Sequence, residues 1–469
     1  MQSKLYDKKR RVLIRGFLNA IFTLFFLFLV PNLIFKLSAD FFGVGRPLLN
    51  FDFVISALIL ICGYRKFSLL TVFLFSLIEV FTIVGQLFPF LRVSDFVYLL
   101  NFIYLSPGSY LLYIFMGAVT VVLNLASFYF FPTSFVYRVS GVFFVNLFLF
   151  LYVIGLFHAS EGNKYYRLSS AKLVDSILLY QVDARASGFV GAFGLPAKPL
   201  QKARYLGALK ANVQDGHIKD KVLLIINESW GISKSQEIQT ALIAPLRSNP
   251  AVKGELSAFE EGELDFVGAT VDAELRELCG LSASNFNLKE VSDGFDDCFP
   301  WRFRQQGAEA VAFHGAVGTM YDRVFWYPRA GFSEAVFYDS SQWAQRCYSF
   351  PGACDHEVLG KVLDVLNGAD QVFVYWLTLN THAIYDRRDL FYNGFDCERF
   401  EVGAETQTCR NLELQAQFFH NLANAVEDGR LSGTRVVVVG DHAPPIFNSD
   451  EKDRSFFSHK VPWISFTVQ

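Results

Sequence analysis

The first third of the chain contains apolar stretches long enough to cross a lipid bilayer, and this constrains the fold more than any other feature. A spanning helix needs about 20 consecutive, mostly apolar residues. Five stretches reach or approach that length, at residues 12–36, 47–63, 67–90, 109–131 and 135–157. Charged residues become frequent only after about residue 158. We therefore predict a five-helix transmembrane domain over residues 1–158, an interfacial helix and linker over 159–214, and a soluble domain over 215–469.

Basic residues predict the orientation of this membrane domain. They collect at the N-terminus (Lys4 to Arg11), after the second stretch (Arg65 and Lys66) and after the fourth (Arg138). With five spans these three segments lie on one side of the membrane, and the positive-inside rule makes it the cytoplasmic side. The soluble domain is then outside, in the periplasm of a bacterium. The formal net charge of −3, without a basic stripe, argues against a nucleic-acid partner.

The cysteines agree with an exported domain. Six of the seven lie after residue 158, and an oxidising compartment such as the bacterial periplasm favours disulfides. The simplest pairing joins neighbours, as 279–298, 347–354 and 397–409. Six cysteines allow fifteen connectivities, so this pairing is a hypothesis.

Three features before the soluble domain have open interpretations. Glu79 lies in the third apolar stretch, where it is either functional or protonated and hydrogen-bonded within the helix bundle. Residues 91–107 are aromatic with few charges, which suits an interfacial or re-entrant segment on the outer face. Residues 165–184 have apolar residues in helical spacing, which is typical of a helix on the membrane surface.

The soluble domain alternates continuous apolar runs with helical patterns. The runs are at 221–228, 311–313, 371–379 and 435–439, and the helical patterns at 234–248, 271–281, 355–368 and 409–428. Continuous apolar runs are typical of strands buried on both faces. The alternation predicts an α/β domain with a largely parallel central sheet.

Polar side chains follow four of these runs, at the strand ends where such sheets bind ligands. They are Glu228, His314, His382 and the pair Asp441-His442. Carboxylate and imidazole ligands from Glu228, Asp441 and His442 suit Zn²⁺ or Mn²⁺. The sequence therefore predicts a divalent metal site at this edge of the sheet.

Thr270 stands between an apolar run and a helical pattern, so it is expected at a helix N-terminus. There it is either a helix cap or a nucleophile, since a nearby metal lowers the pKa of a coordinated hydroxyl. Glu274 and Glu277 of the same helix, like Glu237, are expected on solvated faces.

Five motifs, taken in chain order, resemble those of the sulfatase-like branch of the alkaline phosphatase superfamily. They are Glu228 after a strand, Thr270 at a helix start, His314-Gly315 followed by Tyr321-Asp322-Arg323, Asn380-Thr381-His382, and Gly440-Asp441-His442-Ala443-Pro444-Pro445. With five spans before the soluble domain, the chain is similar to the lipoteichoic acid synthases and phosphoethanolamine transferases.

The resemblance implies a role for each site residue. Glu228, Thr270, Asp441 and His442 would bind the metal, and Thr270 would be the catalytic nucleophile. The substrate-binding residues would be His314, Tyr321, Arg323 and His382, with Tyr321 standing where lipoteichoic acid synthases have Trp.

We therefore expect an inner-membrane phosphotransferase. It would move the headgroup phosphate of phosphatidylethanolamine or phosphatidylglycerol, through a phospho-threonine, to a glycan or glycolipid of the cell envelope. Two alternatives stay open: a periplasmic sulfatase or phosphodiesterase that passes the group to water, and a non-catalytic lipid-binding regulator.

Overall fold

The computed structural model consists of two compact units, residues 1–194 and 195–469. It describes residues 2–41, 44–87, 108–157, 173–186, 196–213, 220–350, 352–383, 385–446 and 448–469. The predicted interfacial segment 91–107 and much of the predicted connector 159–214 lie outside these residues. Within the connector, a described helix covers Ile177–Ala186.

The N-terminal unit is helical, and its main helices coincide with the five predicted stretches. They are Gln2–Thr23, continued by a π-helical Leu24–Leu29 and by Val30–Phe41, then Phe51–Ile61, Arg65–Leu87, Gly108–Phe130 and Phe135–Phe157. Two short strands, Leu49–Asn50 and Val174–Asp175, pair in parallel. Among the described residues, three helical segments are long and apolar enough to cross a membrane: Ile14–Asp40, Arg65–Gln86 and Phe135–Leu156. The full set of five spans stays a prediction.

Glu79 has a structural partner inside this unit. Arg46 donates to both of its carboxylate oxygens, from Nη2 at 2.6 Å and from Nε at 3.2 Å. The same Nη2 donates to Asn32 Oδ1 at 2.8 Å, and Asn50 Nδ2 donates to Glu79 at 3.1 Å. All four side chains are buried. Of the two interpretations of Glu79, this geometry favours a bonded residue of the bundle, ion-paired to Arg46.

The C-terminal unit contains a seven-stranded sheet, whose strands we number in chain order. They are β1 (Lys221–Asn227), β2 (Leu256–Asp265), β3 (Glu309–His314), β4 (Glu334–Val336), β5 (Val372–Leu377), β6 (Thr434–Gly440) and β7 (Lys460–Val468). The spatial order is β2-β7-β6-β1-β5-β3-β4. Five strands from β6 to β4 are parallel, whereas β7 and β2 join antiparallel at one edge. The predicted α/β class is confirmed, and the sheet is mixed.

Helices cover both faces of the central strands, which explains why β1, β3, β5 and β6 are almost entirely buried. One face packs against Gln236–Arg247, Asp355–Asn367 and Gln407–Glu427. On the other face Phe373 packs against Phe299 and Phe303, with ring centroids 5.2 and 5.4 Å away. Among the described residues, the remaining α-helices of the unit are Ala208–Asn212, Pro250–Lys253, Thr270–Cys279, Phe299–Gln305, Arg323–Arg329 and Ser449–Ser455. Two-residue strands pair as Gln201–Lys202 with Leu281–Ser282 and Arg346–Cys347 with Gly352–Ala353.

The predicted disulfide pairing is confirmed. Bonds join Cys279 to Cys298, Cys347 to Cys354 and Cys397 to Cys409. The first of them anchors the C-terminal end of the Thr270–Cys279 helix to the start of the Phe299–Gln305 helix.

Candidate active site

The carboxyl ends of the central parallel strands meet at one edge of the sheet. Leu377 of β5 is in register with Ile226 of β1 and with His314 of β3, and Gly440 of β6 is in register with Asn227. The residues that follow β1 and β6 are Glu228 and Asp441-His442. Side chains more than 200 residues apart in the sequence therefore converge because their strands end together.

Four predicted side chains come together at this edge. Oγ1 of Thr270 donates to Oε2 of Glu228 at 3.3 Å and lies 3.4 Å from Nε2 of His442. The same nitrogen is 3.2 Å from Oδ2 of Asp441 and 3.6 Å from Oε1 of Glu228. One ligand atom each from Glu228, Asp441 and His442 lies within 4.8 Å of the other two.

The turn after β1 holds the two carboxylates. Ser229 has a left-handed backbone, with φ of 55°, and is fully buried. Its backbone N–H donates to Oδ1 of Asp441 at 2.7 Å, and its hydroxyl donates to Oε1 of Glu228 at 2.9 Å. Gln415 fixes the same turn by donating to the carbonyl of Glu228 at 3.0 Å. Sequence reasoning missed both residues, since a serine in a turn and a glutamine in an amphipathic helix carry no local signal.

Thr270 is the first helical residue, and its side chain does not cap the helix. Ala269 occupies the N-cap position, and its N–H donates to Oδ2 of Asp272 at 3.1 Å. The hydroxyl of Thr270 is therefore directed to Glu228 and His442. Position 268 has no room for a side chain, because a Cβ on Gly268 would lie 2.8 Å from the Phe266 ring and 2.9 Å from the Asp272 carboxylate. Glycine therefore lets the backbone before Thr270 pack closely against these two residues. A helix N-terminus adds backbone N–H groups without intrahelical partners, which favour an anion.

The donor set fits a divalent cation. Oδ2 of Asp441 is buried, and apart from Nε2 of His442, 3.2 Å away, it has no hydrogen-bond partner among the described residues. Buried carboxylate oxygens normally accept more than one contact. Burial and the adjacent charge of Glu228 raise the pKa of Asp441 to about 7. Burial lowers the pKa of His442, but the charges of Asp441 and Glu228 outweigh it and the net shift is upward. A cation between two carboxylates and an imidazole would relieve both the repulsion and the missing contact.

The two other predicted histidines are held neutral near this centre. Nδ1 of His314 lies 3.1 Å from the carbonyl oxygen of Leu377, and burial together with Arg323 lowers the pKa of His314 well below its usual value. His382 faces the carbonyl of Ala383 through Nδ1, and burial lowers its pKa to about 4. The ring of His382 packs 4.7 Å from that of Phe350.

Tyr321 and Arg323 lie in and after a turn of unusual backbone. Tyr321 and Asp322 are consecutive non-glycine residues with positive φ, 53° and 58°. The guanidinium of Arg323 is buried and donates to both carboxylate oxygens of Glu274, at 2.8 to 3.1 Å. Nε and Nη2 of Arg323 are therefore engaged by Glu274, and Nη1 donates to the carbonyl of Met320 at 3.4 Å. The phosphoryl contact that the resemblance implies for Arg323 stays a prediction.

The expectation that Glu274 and Glu277 are solvated is wrong. Both are buried, and each is paired with an arginine: Glu274 with Arg323 and Glu277 with Arg276. The helical spacing predicted one apolar face, whereas eight of the helix's ten residues are buried because the helix packs between the sheet and the surrounding loops. Glu237 is exposed, as expected.

No protein-family model matches the chain, and no curated protein matches it. Solved structures do match. The chain is similar to the lipoteichoic acid synthase LtaP from Listeria monocytogenes at 14% identity, over 59% of this chain and 69% of that chain, with a TM-score of 0.39. It is similar to the Streptococcus pyogenes phosphoglycerol transferase GacH, solved with sn-glycerol-1-phosphate, at 15% identity, over 55% and 70% of the chains, with a TM-score of 0.39.

A third match is the C-terminal periplasmic domain of EptC from Escherichia coli in complex with Zn. Its identity is 15%, the match covers 58% of this chain and 78% of that chain, and its TM-score is 0.36. The chain is also similar to a protein of the alkaline phosphatase superfamily from Vibrio parahaemolyticus. A lipoteichoic acid synthase and a protein of the alkaline phosphatase superfamily are thus among the matching structures, as the sequence motifs predicted. At such TM-scores, function has to be argued from this chain's own side chains.

Proposed function

We propose that this protein is a metal-dependent phosphotransferase that moves the headgroup phosphate of a phospholipid to an acceptor hydroxyl, with Thr270 as the nucleophile. One observation carries the proposal. The Thr270 hydroxyl lies 3.3 Å from Glu228 and 3.4 Å from His442, and Nε2 of His442 lies 3.2 Å from a buried oxygen of Asp441. A helix cap needs none of these three contacts.

The metal would be held by Glu228, Asp441 and His442, with Thr270 as a further ligand. A divalent cation bound there, Zn²⁺ or Mn²⁺, supplies Lewis-acid stabilisation of charge and a lowered pKa for a nearby hydroxyl. Glu228 Oε2 accepts the hydrogen bond of the Thr270 hydroxyl, so it orients the oxygen and holds its proton. The N–H groups of the first helical turn face the phosphoryl group.

The transfer has two balanced steps. Thr270 Oγ1 forms a bond to phosphorus while the bond from phosphorus to the diacylglycerol oxygen breaks, and the proton that the Thr270 hydroxyl gives up passes to the leaving oxygen. An acceptor hydroxyl then attacks phosphorus and displaces Thr270 Oγ1, and the proton that the acceptor loses returns to the Thr270 oxygen. The headgroup, glycerol or ethanolamine, stays attached to the phosphate throughout. We place His314, Tyr321 and His382 on the headgroup side, and Arg323 behind them.

The N-terminal apolar helices explain why a lipid donor suits this chain. A donor that never leaves the bilayer is captured by an enzyme anchored in the same bilayer, since proximity replaces diffusion. We propose that the chain lies in the bacterial inner membrane with the residue 215–469 domain in the periplasm. The acceptor would be a glycan or glycolipid of the cell envelope.

Product analysis tests this function. The purified full-length protein, loaded with Zn²⁺ or Mn²⁺, is incubated with vesicles of phosphatidylglycerol or phosphatidylethanolamine and an envelope glycan fraction. We expect diacylglycerol release with headgroup phosphate on the glycan. Free headgroup phosphate with an unmodified glycan would instead identify a hydrolase, and no diacylglycerol from either lipid would refute the proposal.

A further inference from the structure

Glu274 lies one helical turn after Thr270, so the two side chains project from the same side of the helix. Its carboxylate is fully buried. Arg323 donates to it from Nη2 at 2.8 Å and from Nε, whose single N–H is shared between the two oxygens at 3.1 Å, and the phenol of Tyr375 donates at 3.0 Å. The phenol of Tyr327 donates to the same carboxylate. A carboxylate with this many donors ties the nucleophile helix to β5 and to the Arg323–Arg329 helix.

Arg323 directly follows the turn that carries Tyr321. Two consecutive non-glycine residues with positive φ cost free energy, and such a turn persists only where surrounding contacts fix it. The bidentate bond to Glu274 is such a contact, since a guanidinium held by two oxygens has one permitted orientation. The guanidinium also lies 5.1 Å from the centre of the Tyr321 ring.

Tyr321 is buried beside Arg323. The charges of Glu228 and Asp272 act on its phenol, whose pKa is raised well above its usual value mainly by burial. Its ring meets that of Phe286 edge-on at 5.8 Å. A continuous set of contacts therefore leads from Glu274 through Arg323 to Tyr321.

We propose that Glu274 is a positioning residue, which holds Arg323 and the strained Tyr321 turn in fixed register with the helix that carries Thr270. The inference rests on the proposed function for its meaning in catalysis. The carboxylate of Glu274 is occupied by Arg323, Tyr327 and Tyr375. Glu274 acts by holding Arg323, and through it the Tyr321 turn, at a set distance from the nucleophile.

The same helix offers a matched control. Glu277 is equally buried and is bonded to Arg276 at 2.7 Å, and it also accepts from the N–H of Leu209 at 2.8 Å. Neither of these partners leads to the Tyr321 turn. Glu277→Gln therefore removes a comparable buried charge without loosening that turn.

The test compares three variants of the full-length, zinc-loaded protein. Glu274→Gln leaves Arg323 buried without its countercharge and risks misfolding, so Glu274→Gln with Arg323→Met removes both charges together. In this double variant the glutamine still accepts from the two tyrosines. Diacylglycerol release is measured in mixed micelles of phosphatidylglycerol and phosphatidylethanolamine over a range of lipid concentrations.

We expect the double variant to raise KM for the lipid at least about fivefold while kcat changes by less than about twofold, because ground-state positioning is lost. Glu277→Gln should leave KM unchanged.

Hydrogen exchange over residues 317–325 should rise in the double variant and stay constant in Glu277→Gln, which tests the positioning role even if no lipid is turned over. A double variant with the KM and exchange of the wild type would overturn the proposal. Failure of the wild type to release diacylglycerol would refute the proposed function alone.

Discussion

Oγ1 of Thr270 lies 3.4 Å from Nε2 of His442, although 172 residues separate them in the sequence. Two unrelated pieces of local structure create this proximity: the N-terminus of a ten-residue helix and the carboxyl end of β6. The contact distinguishes a nucleophile from a helix cap, because a capping hydroxyl bonds to the N–H groups of its own helix.

Substitution of Thr270 tests its chemical role. Thr270→Ala should reduce diacylglycerol release by at least about 1,000-fold, because no other oxygen replaces the nucleophile. Thr270→Ser keeps the hydroxyl and should retain activity within about 100-fold of the wild type. Both variants should have a melting temperature close to that of the wild type, since a cap is supplied by Ala269 and Asp272. An active Thr270→Ala variant would point to a different nucleophile.

Metal binding should stabilise the folded protein. A ligand present at 100 times its Kd stabilises the native state by about 2.7 kcal/mol, so added zinc should raise the melting temperature of the chelated protein. Asp441→Asn keeps the shape of the side chain but removes its negative charge and replaces one carboxylate oxygen with an amide nitrogen. We expect this variant to show little or no thermal shift with zinc and less than one zinc per chain by elemental analysis. An equal shift in both proteins would place the metal elsewhere.

The polar groups around Thr270 favour an uncharged headgroup. Within the described residues, Asp272 accepts from Ala269 and Glu274 pairs with Arg323, while Glu228 and Asp441 face the metal centre. The ammonium group of phosphatidylethanolamine would therefore face the neutral side chains of His314 and His382, and no uncommitted carboxylate among these four acids. We therefore expect phosphatidylglycerol to be used at least about tenfold better than phosphatidylethanolamine, equivalent to ~1.4 kcal/mol. The ratio of kcat/KM for the two lipids measures this, and a preference for phosphatidylethanolamine would show a missing acidic partner.

Asp355 should make stability depend on pH. Its carboxylate accepts from the backbone N–H groups of Leu379 and Asn380 at 2.8 to 3.1 Å, yet burial raises its pKa from 3.8 to about 7. An acid with a raised pKa stabilises the fold below its unfolded pKa, and that contribution is lost as pH rises through the folded pKa. Relative to Asp355→Asn, the wild type should therefore lose stability between about pH 4 and pH 7, at up to ~1.4 kcal/mol per pH unit. Melting temperatures in a chelating buffer measure this, and parallel pH profiles would contradict it.

The sequence predicted the parts of the site that depend on regular structure. Apolar runs located β1, β5 and β6, so Glu228, His382 and Asp441 could be assigned to one edge of the sheet before their distances were known. The antiparallel β2 and β7 were missed. The burial of β2 alternates over most of its length, as expected for an edge strand, and β7 is placed by pairing with β6 on one side and with β2 on the other. Long-range pairing of this kind has no local signal.

Buried charged residues were the other feature that the sequence could not reveal. Glu274 and Arg323 are 49 residues apart, and each alone is typical of a solvated surface. Their burial depends on how the Thr270–Cys279 helix packs in the fold. There Tyr375 of β5 and Arg323 of the Arg323–Arg329 helix donate hydrogen bonds to the Glu274 carboxylate. The left-handed turn at Tyr321 and Asp322 was equally hidden, because neither residue is glycine.

The most direct test of the central claim is the mass of Thr270 during turnover. The zinc-loaded, full-length protein is mixed with phosphatidylglycerol without an acceptor, quenched in acid, digested and analysed by tandem mass spectrometry. We expect a glycerol-phosphate adduct on the peptide that contains Thr270, formed together with diacylglycerol and absent from Thr270→Ala. Release of diacylglycerol with Thr270 unmodified, or an adduct on another residue, would contradict it.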